Sequence, residues 1–186
     1  MSPQVNPRIF RAYDIRGVAD VDLNDDAIER IGHAYARYLR ERGKQRIALG
    51  RDCRLSSDRI ADGLRETLLR SGLDVVDIGV TPTPLLYFAV FHLALDGGVQ
   101  VTGSHNPAQD NGLKMLCGRH TLSGDEIQKL REFAEQSPPA AASTRGTLEE
   151  IDLEPAYIGY MRGNLRLART DLRFALDAGN GSGGPT

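Results

Sequence analysis

From Asn24 onward, Ile28, Ile31, Tyr35, Tyr38 and Leu39 recur at the spacing that gathers apolar side chains on one face of a helix. Asn24 suits an N-cap, Asp25 and Asp26 suit the electropositive first turn, and Gly43 supplies an end. The pattern then shifts to a short apolar run, Arg46-Ile47-Ala48-Leu49-Gly50, followed by a second helical stripe from about Ser57 with Ile60, Leu64 and Leu68 before Gly72. Residues 74–79 repeat the strand signal. Thr83-Pro84 opens a third helix carrying Leu85, Phe88, Ala89 and His92, and Gly97-Gly98 stops it. Residues 99–102 read as a strand, 103–111 as a loop, and 113–116 as a strand pairing back. Ser123-Gly124-Asp125-Glu126 has the form of a capping box ahead of Ile127, Leu130 and Phe133.

This alternation predicts a three-layer α/β/α domain with a mixed, largely parallel sheet and its active loops at strand C-terminal ends. Beyond it, Ser137-Pro138-Pro139-Ala140-Ala141-Ala142-Ser143 has the composition of an exposed connection. A helix from about Pro155 aligns Tyr157, Met161 and Leu165, and residues 172–176 read as the start of another strand. Gly179, Gly181 and Gly184 match the glycine spacing of a dinucleotide-binding turn, yet the helix and the acidic residue that such a turn requires do not follow. The expected division is therefore a domain over 1–136, a linker and connecting helix over 137–170, and the start of a second α/β domain over 171–186, so that the chain reads as a fragment.

Composition narrows the function classes. With 40% hydrophobic and 26% charged residues and a net charge of −2, the chain is of globular type and has no basic excess to recruit nucleic acid or an anionic membrane. No apolar run is long enough to span a bilayer and the first residues lack a leader-like apolar core, so a cytoplasmic protein is expected. Cys53 and Cys117 fall outside any metal-binding spacing and are read as packing residues in a reducing compartment.

The loop Thr102-Gly103-Ser104-His105-Asn106-Pro107 carries the candidate chemistry. Gly, Ser, Asn and Pro are also ordinary turn residues, so a plain turn is one reading. A hydrolytic serine with His105 as base is a second, opposed by the absence of a nucleophile-elbow pattern and by the tendency of adjacent residues to point apart. In a third, Ser104 carries a phosphoryl group, which calls for positive charge and hydrogen-bond donors. Lys114, between apolar neighbours on the next strand, can supply charge and proton transfer in that reading, or face solvent in a bland one. Arg11, Arg16 and Tyr13 surround a Gly turn and can grip phosphate, or Arg16 can pair with Asp14 at the surface. Arg51 and Arg54 add cations at the same sheet edge, with Arg51–Asp52 favoured as a structural ion pair.

Taken together, "FRAYDIRG", "GRDCRLSS", "TPTPLLYF" and "TGSHNPAQDNGLKM", in this order, resemble the first domain of the α-D-phosphohexomutases, most closely the bacterial phosphomannomutase/phosphoglucomutase branch. The resemblance runs from about Pro7 to Phe133 and resumes at "LDAGNGSGG". It implies that Ser104 is a phosphoserine exchanging its phosphoryl group with hexose 1- and 6-phosphates of glucose and mannose, through a hexose 1,6-bisphosphate. By the same resemblance Lys114 is the general acid/base, Arg16 stands beside it, Tyr13 faces substrate, and His105 and Asn106 hold the loop or touch phosphate. Mg²⁺ would bind Ser104 through its phosphate, with its other ligands in a second domain, so these residues alone would not turn over. The unpaired edge of the second domain's first strand could pair between chains and give a strand-exchanged dimer. A glucosamine-phosphate mutase is the alternative within the family, and a non-catalytic binding module for phosphorylated metabolites is the alternative outside it.

Overall fold

Asn24 caps the first long helix as its sequence predicts, its side-chain oxygen accepting the Ala27 N–H at 3.0 Å. In the computed structural model, which describes residues 5–136, 142–169, 171–184 and 186, that helix is α1, Asp25–Arg40. Acidic residues occupy its first turn and Arg37 and Arg40 its last, complementing the helix dipole. Its apolar stripe is buried together with Ile60, Leu64 and Leu68 of α2 (Ser57–Arg70) and Ile127 and Leu130 of α4 (Asp125–Ala134). On the other side of the sheet, α3 (Thr83–His92) buries Leu85, Leu86, Ala89 and Val90, with Tyr157 of α5 (Glu154–Asn164) packed against that cluster.

The strands between these layers are β1 (Ile15–Val18), β2 (Arg46–Arg51), β3 (Asp74–Val80), β4 (Gly97–Val101), β5 (Asp110–Cys117), β6 (His120–Thr121) and β7 (Leu148–Glu150). Alternate side chains enter the two cores: Ile47 and Leu49 face α1 and α2, whereas Ala48 faces α3. The order is β1-β5-β4-β2-β3-β7, with β6 paired to β5. Strands β4, β2, β3 and β7 run parallel, and β5 runs antiparallel to both β4 and β1. The fold is the expected three-layer α/β arrangement with a mixed sheet.

Connectivity locates the crevice. From β2 the chain crosses through α2 to β3 on one side, then returns through α3 to β4 on the other. Right-handed crossovers in opposite directions place the two helices on opposite faces. The strand order therefore reverses between β2 and β4, and the loops at their C-terminal ends lie at a switch point, where open α/β sheets bind ligands.

Several local expectations needed correction. Ile15–Val18, read as a turn, is a strand held by β5, with Arg16 opposite Gly112. Leu148–Glu150, read as connection, adds a parallel edge strand beside β3, although all three side chains are exposed. Residues 171–178 form no strand, because no neighbouring strand offers them a ladder, and Leu172, Phe174 and Leu176 are exposed. Half of the capping box is present: the Glu126 carboxylate accepts the Ser123 N–H at 3.3 Å, while Gly124 takes the cap position with no side-chain bond. Cys117 is buried as expected but Cys53 is exposed. Residues 137–141 of the expected connection lie outside the described residues.

Candidate active site

The loop after β2 is built around Asp52. Its carboxylate accepts the backbone N–H of Arg54 at 3.1 Å, which tightens the turn, and it accepts the Ser57 hydroxyl at the start of α2. The same carboxylate reaches across the switch point to accept the Gly103 N–H at 3.1 Å. Two neighbouring parallel strands are thus joined at their C-terminal ends by one side chain. The expected Arg51–Asp52 pair is not formed: Arg51 faces Asp58 and Asp77, and Asp52 faces Arg54 at 3.4 Å. Side chains alternate along a strand, so Arg51 and Asp52 leave β2 on opposite sides.

Ser104 follows, exposed and with φ +54°, a left-handed conformation unusual for a residue with a side chain. Its N–H donates to Thr102 Oγ1 at 2.9 Å, and its Oγ lies 3.2 Å from His105 Nδ1. The two side chains therefore meet rather than diverge, since the left-handed turn at Ser104 brings successive side chains to one side. Among the described residues no carboxylate is hydrogen-bonded to His105, so the third member of a hydrolytic triad has no candidate there.

Of the two arginines expected from the first segment, Arg16 reaches the same loop, whereas Arg11 is exposed and makes no side-chain hydrogen bond among the described residues. Arg16 donates to Asn106 Oδ1 at 2.8 Å and to Asp14 Oδ2 at 2.6 Å, and both members of the ion pair are largely buried. Asp14 Oδ2 also lies 3.6 Å from Lys114 Nζ. Asn106 passes the contact on by donating to Asp110 Oδ2 at 3.3 Å. Strand register explains the meeting: Ile15 pairs with Leu113, and Lys114 with Gln100, so Asp14, Arg16 and Lys114 share one face of adjacent strands. Arg16 Nε is buried without a partner. Tyr13 is 72% exposed on the same segment and takes part in none of these contacts.

The arrangement thus presents an exposed hydroxyl on a fixed loop, an arginine bound to that loop, and a lysine sharing the arginine's carboxylate. Such a set can accept and hold a phosphoryl group. The sequence matches the family "Phosphoglucomutase/phosphomannomutase, alpha/beta/alpha domain I" over residues 7–140. The chain belongs to this family. A phosphoglucomutase from Neisseria meningitidis serogroup B is 44% identical over 176 residues, and a phosphomannomutase from Salmonella typhimurium is 42% identical over 182. Each alignment covers 95% of this chain, but it covers only 38% and 39%, respectively, of those relatives. A crystal structure of a phosphoglucomutase/phosphomannomutase family protein from Burkholderia thailandensis superposes with TM-score 0.82 at 34% identity, covering 89% of this chain and 38% of that one. The chain spans about two fifths of its relatives' length.

Within this phosphoglucomutase/phosphomannomutase domain, two site residues escaped the sequence reading. Asp14 entered only as an exposed partner of Arg16, yet it is buried and serves two cations. Arg54 was expected to add free charge, whereas its guanidinium donates to backbone carbonyls of the serine loop. A polar loop that must stay in one shape needs donors for its carbonyls, and Asp52-Cys53-Arg54 at the adjoining strand end was the available signal. No group of three or more His, Cys, Asp or Glu suited to a metal ion occurs among the described residues. No helix among the described residues is long and apolar enough to cross a membrane.

Proposed function

We propose that Ser104 carries and transfers a phosphoryl group in a mutase that interconverts hexose 1-phosphates and hexose 6-phosphates, with glucose and mannose phosphates as substrates. In the first transfer the Ser104 Oγ–P bond breaks as a sugar hydroxyl forms its own bond to phosphorus, giving a hexose 1,6-bisphosphate. In the second, the bond from the sugar's other oxygen to phosphorus breaks as Ser104 Oγ takes that phosphoryl group, which rebuilds phosphoserine. Lys114 is assigned the proton of the reacting hydroxyl, and Arg16 the charge that settles on the phosphoryl oxygens. His105 and Asn106 shape the loop, and Tyr13 is placed toward substrate. A divalent cation would be held here through the phosphoryl oxygens on Ser104, and would neutralise part of the charge on the transferring group.

The single observation that carries this reading is the outward hydroxyl of Ser104 on a loop bound through Asn106 to Arg16, whose carboxylate partner also holds Lys114. Intact-mass measurement on the whole natural polypeptide that carries these residues tests it. A phosphoserine adds about 80 Da and negative charge, removable by Ser104→Ala. If the Ser104→Ala polypeptide still interconverts hexose phosphates, the reading fails. Turnover by residues 1–186 alone is not expected, because the chain covers only about two fifths of the length of its relatives. Normal rates from this chain in a coupled mutase assay would refute that.

A further inference from the structure

Four backbone carbonyls of the serine loop converge on one side chain. Arg54 Nη1 donates to Pro107 O at 2.7 Å and Asp110 O at 2.9 Å, and Nη2 donates to Asn106 O at 2.7 Å and Ser104 O at 3.2 Å. Its Nε faces the Asp52 carboxylate at 3.4 Å. A guanidinium has four hydrogens on its terminal nitrogens, so all four are committed and none remains to fork a phosphate. The loop in turn is made to receive it: a Cβ at Gly103 would overlap the Nε and Cζ of Arg54, so the backbone lies directly on the guanidinium.

Arg54 is itself fixed. Asp52 binds its backbone N–H, faces its Nε, and also holds the Gly103 N–H, so the loop is pinned from both its amide and its carbonyl sides. Drawing the carbonyls of Ser104 and Asn106 inward leaves Ser104 exposed and holds it in its left-handed conformation. An isolated serine would relax from that conformation.

We infer that Arg54 is a positioning residue for phosphoryl transfer, holding the Ser104 loop in transfer geometry through its carbonyls without touching the phosphate. The inference rests on the reading of Ser104 as phosphoryl carrier. A lysine has three donors on one atom and no plane to lie under Gly103, so the conservative change should fail. In the whole natural polypeptide, Arg54→Lys is expected to lower kcat roughly 100-fold, as misplacement of reacting groups by about 1 Å does, while KM changes less than about threefold. Protease cleavage between residues 104 and 109 should accelerate while the melting temperature of the whole stays within a few degrees. Added guanidinium should restore part of kcat to Arg54→Ala. An Arg54→Lys polypeptide with full kcat would overturn the inference. So would a kcat loss in Arg54→Ala that follows the unfolded fraction and does not respond to guanidinium. A Ser104→Ala polypeptide that remains active defeats the phosphoryl-carrier reading instead, which separates the two failures.

Discussion

Asp14 lies 3.6 Å from Lys114, with the same carboxylate oxygen that grips Arg16 at 2.6 Å. One anion therefore sets the spacing of the two cations assigned to phosphoryl transfer. Its side chain is 12% exposed, so removing it leaves charge without a partner in a low-dielectric place. Asp14→Ala is expected to cost about 3 kcal/mol in urea unfolding and to lower kcat in the whole polypeptide. A variant of unchanged stability and rate would mean that Arg16 and Lys114 are placed by the strands alone.

Gly103→Ala acts on the other side of the loop. The new methyl meets the Arg54 guanidinium, which is itself bound on all sides and cannot move without giving up carbonyl partners. Overpacking of this kind costs roughly 1–3 kcal/mol. The expected result is a destabilised chain with faster cleavage of the serine loop. Gly118, where an added Cβ meets nothing, is at φ +58°, so alanine there tests backbone strain without the collision and should leave the loop intact.

What the sequence disclosed follows from how local each signal is. Helices α1 and α2 were legible because their stripes and caps lie within a few turns of chain: Asn24, Ile28, Ile31 and Tyr35 require no distant partner to be recognised. Strand β1 was not, since Ile15–Val18 contains Arg16 and Gly17 and becomes a strand only through its register with Asn111 and Gly112. Strand β7 has three exposed side chains and pairs through backbone alone, so no apolar pattern marks it. At the site, Ser104 and Asn106 were visible in the composition of their own loop and in the family resemblance. Arg54 looked like a free cation because its partners are carbonyls, which carry no residue identity, from a segment on another strand.

Tyr35 offers a test of the sheet beneath the site. Its buried hydroxyl lies 2.6 Å from Leu116 O and 3.1 Å from Gly98 O, bracing β4 against β5, and burial pushes the phenol well above its ordinary range. The hydroxyl therefore stays protonated and donates. Tyr35→Phe removes the donor and leaves buried carbonyls short of a partner, a loss of about 1–2 kcal/mol by thermal or urea unfolding. No loss would indicate that the ladder satisfies both carbonyls without it.

His33 makes stability depend on pH. It packs between α1 and α2, where Ser71 Oγ donates to Thr67 O at 2.8 Å and so presents a lone pair to His33 Nδ1 at 3.0 Å. Burial lowers the imidazole below its ordinary 6.5; Glu29, 3.8 Å from Nε2, opposes this, and the Arg70 guanidinium adds to the lowering. The folded state therefore binds fewer protons than the unfolded state just below pH 6.5, and stability rises with pH across that window. The contribution is complete above the unfolded value and is lost as pH falls through the folded one. Unfolding curves of the wild type and His33→Gln, compared from roughly pH 5 to 7, should converge or cross toward the acid end as the wild type alone loses stability. Carboxylate titration is common to both proteins and cancels in the difference. Parallel curves would show that Glu29 cancels burial, and a wild type that gains on the variant in acid would show that Glu29 outweighs it and that the imidazolium is the form the fold prefers.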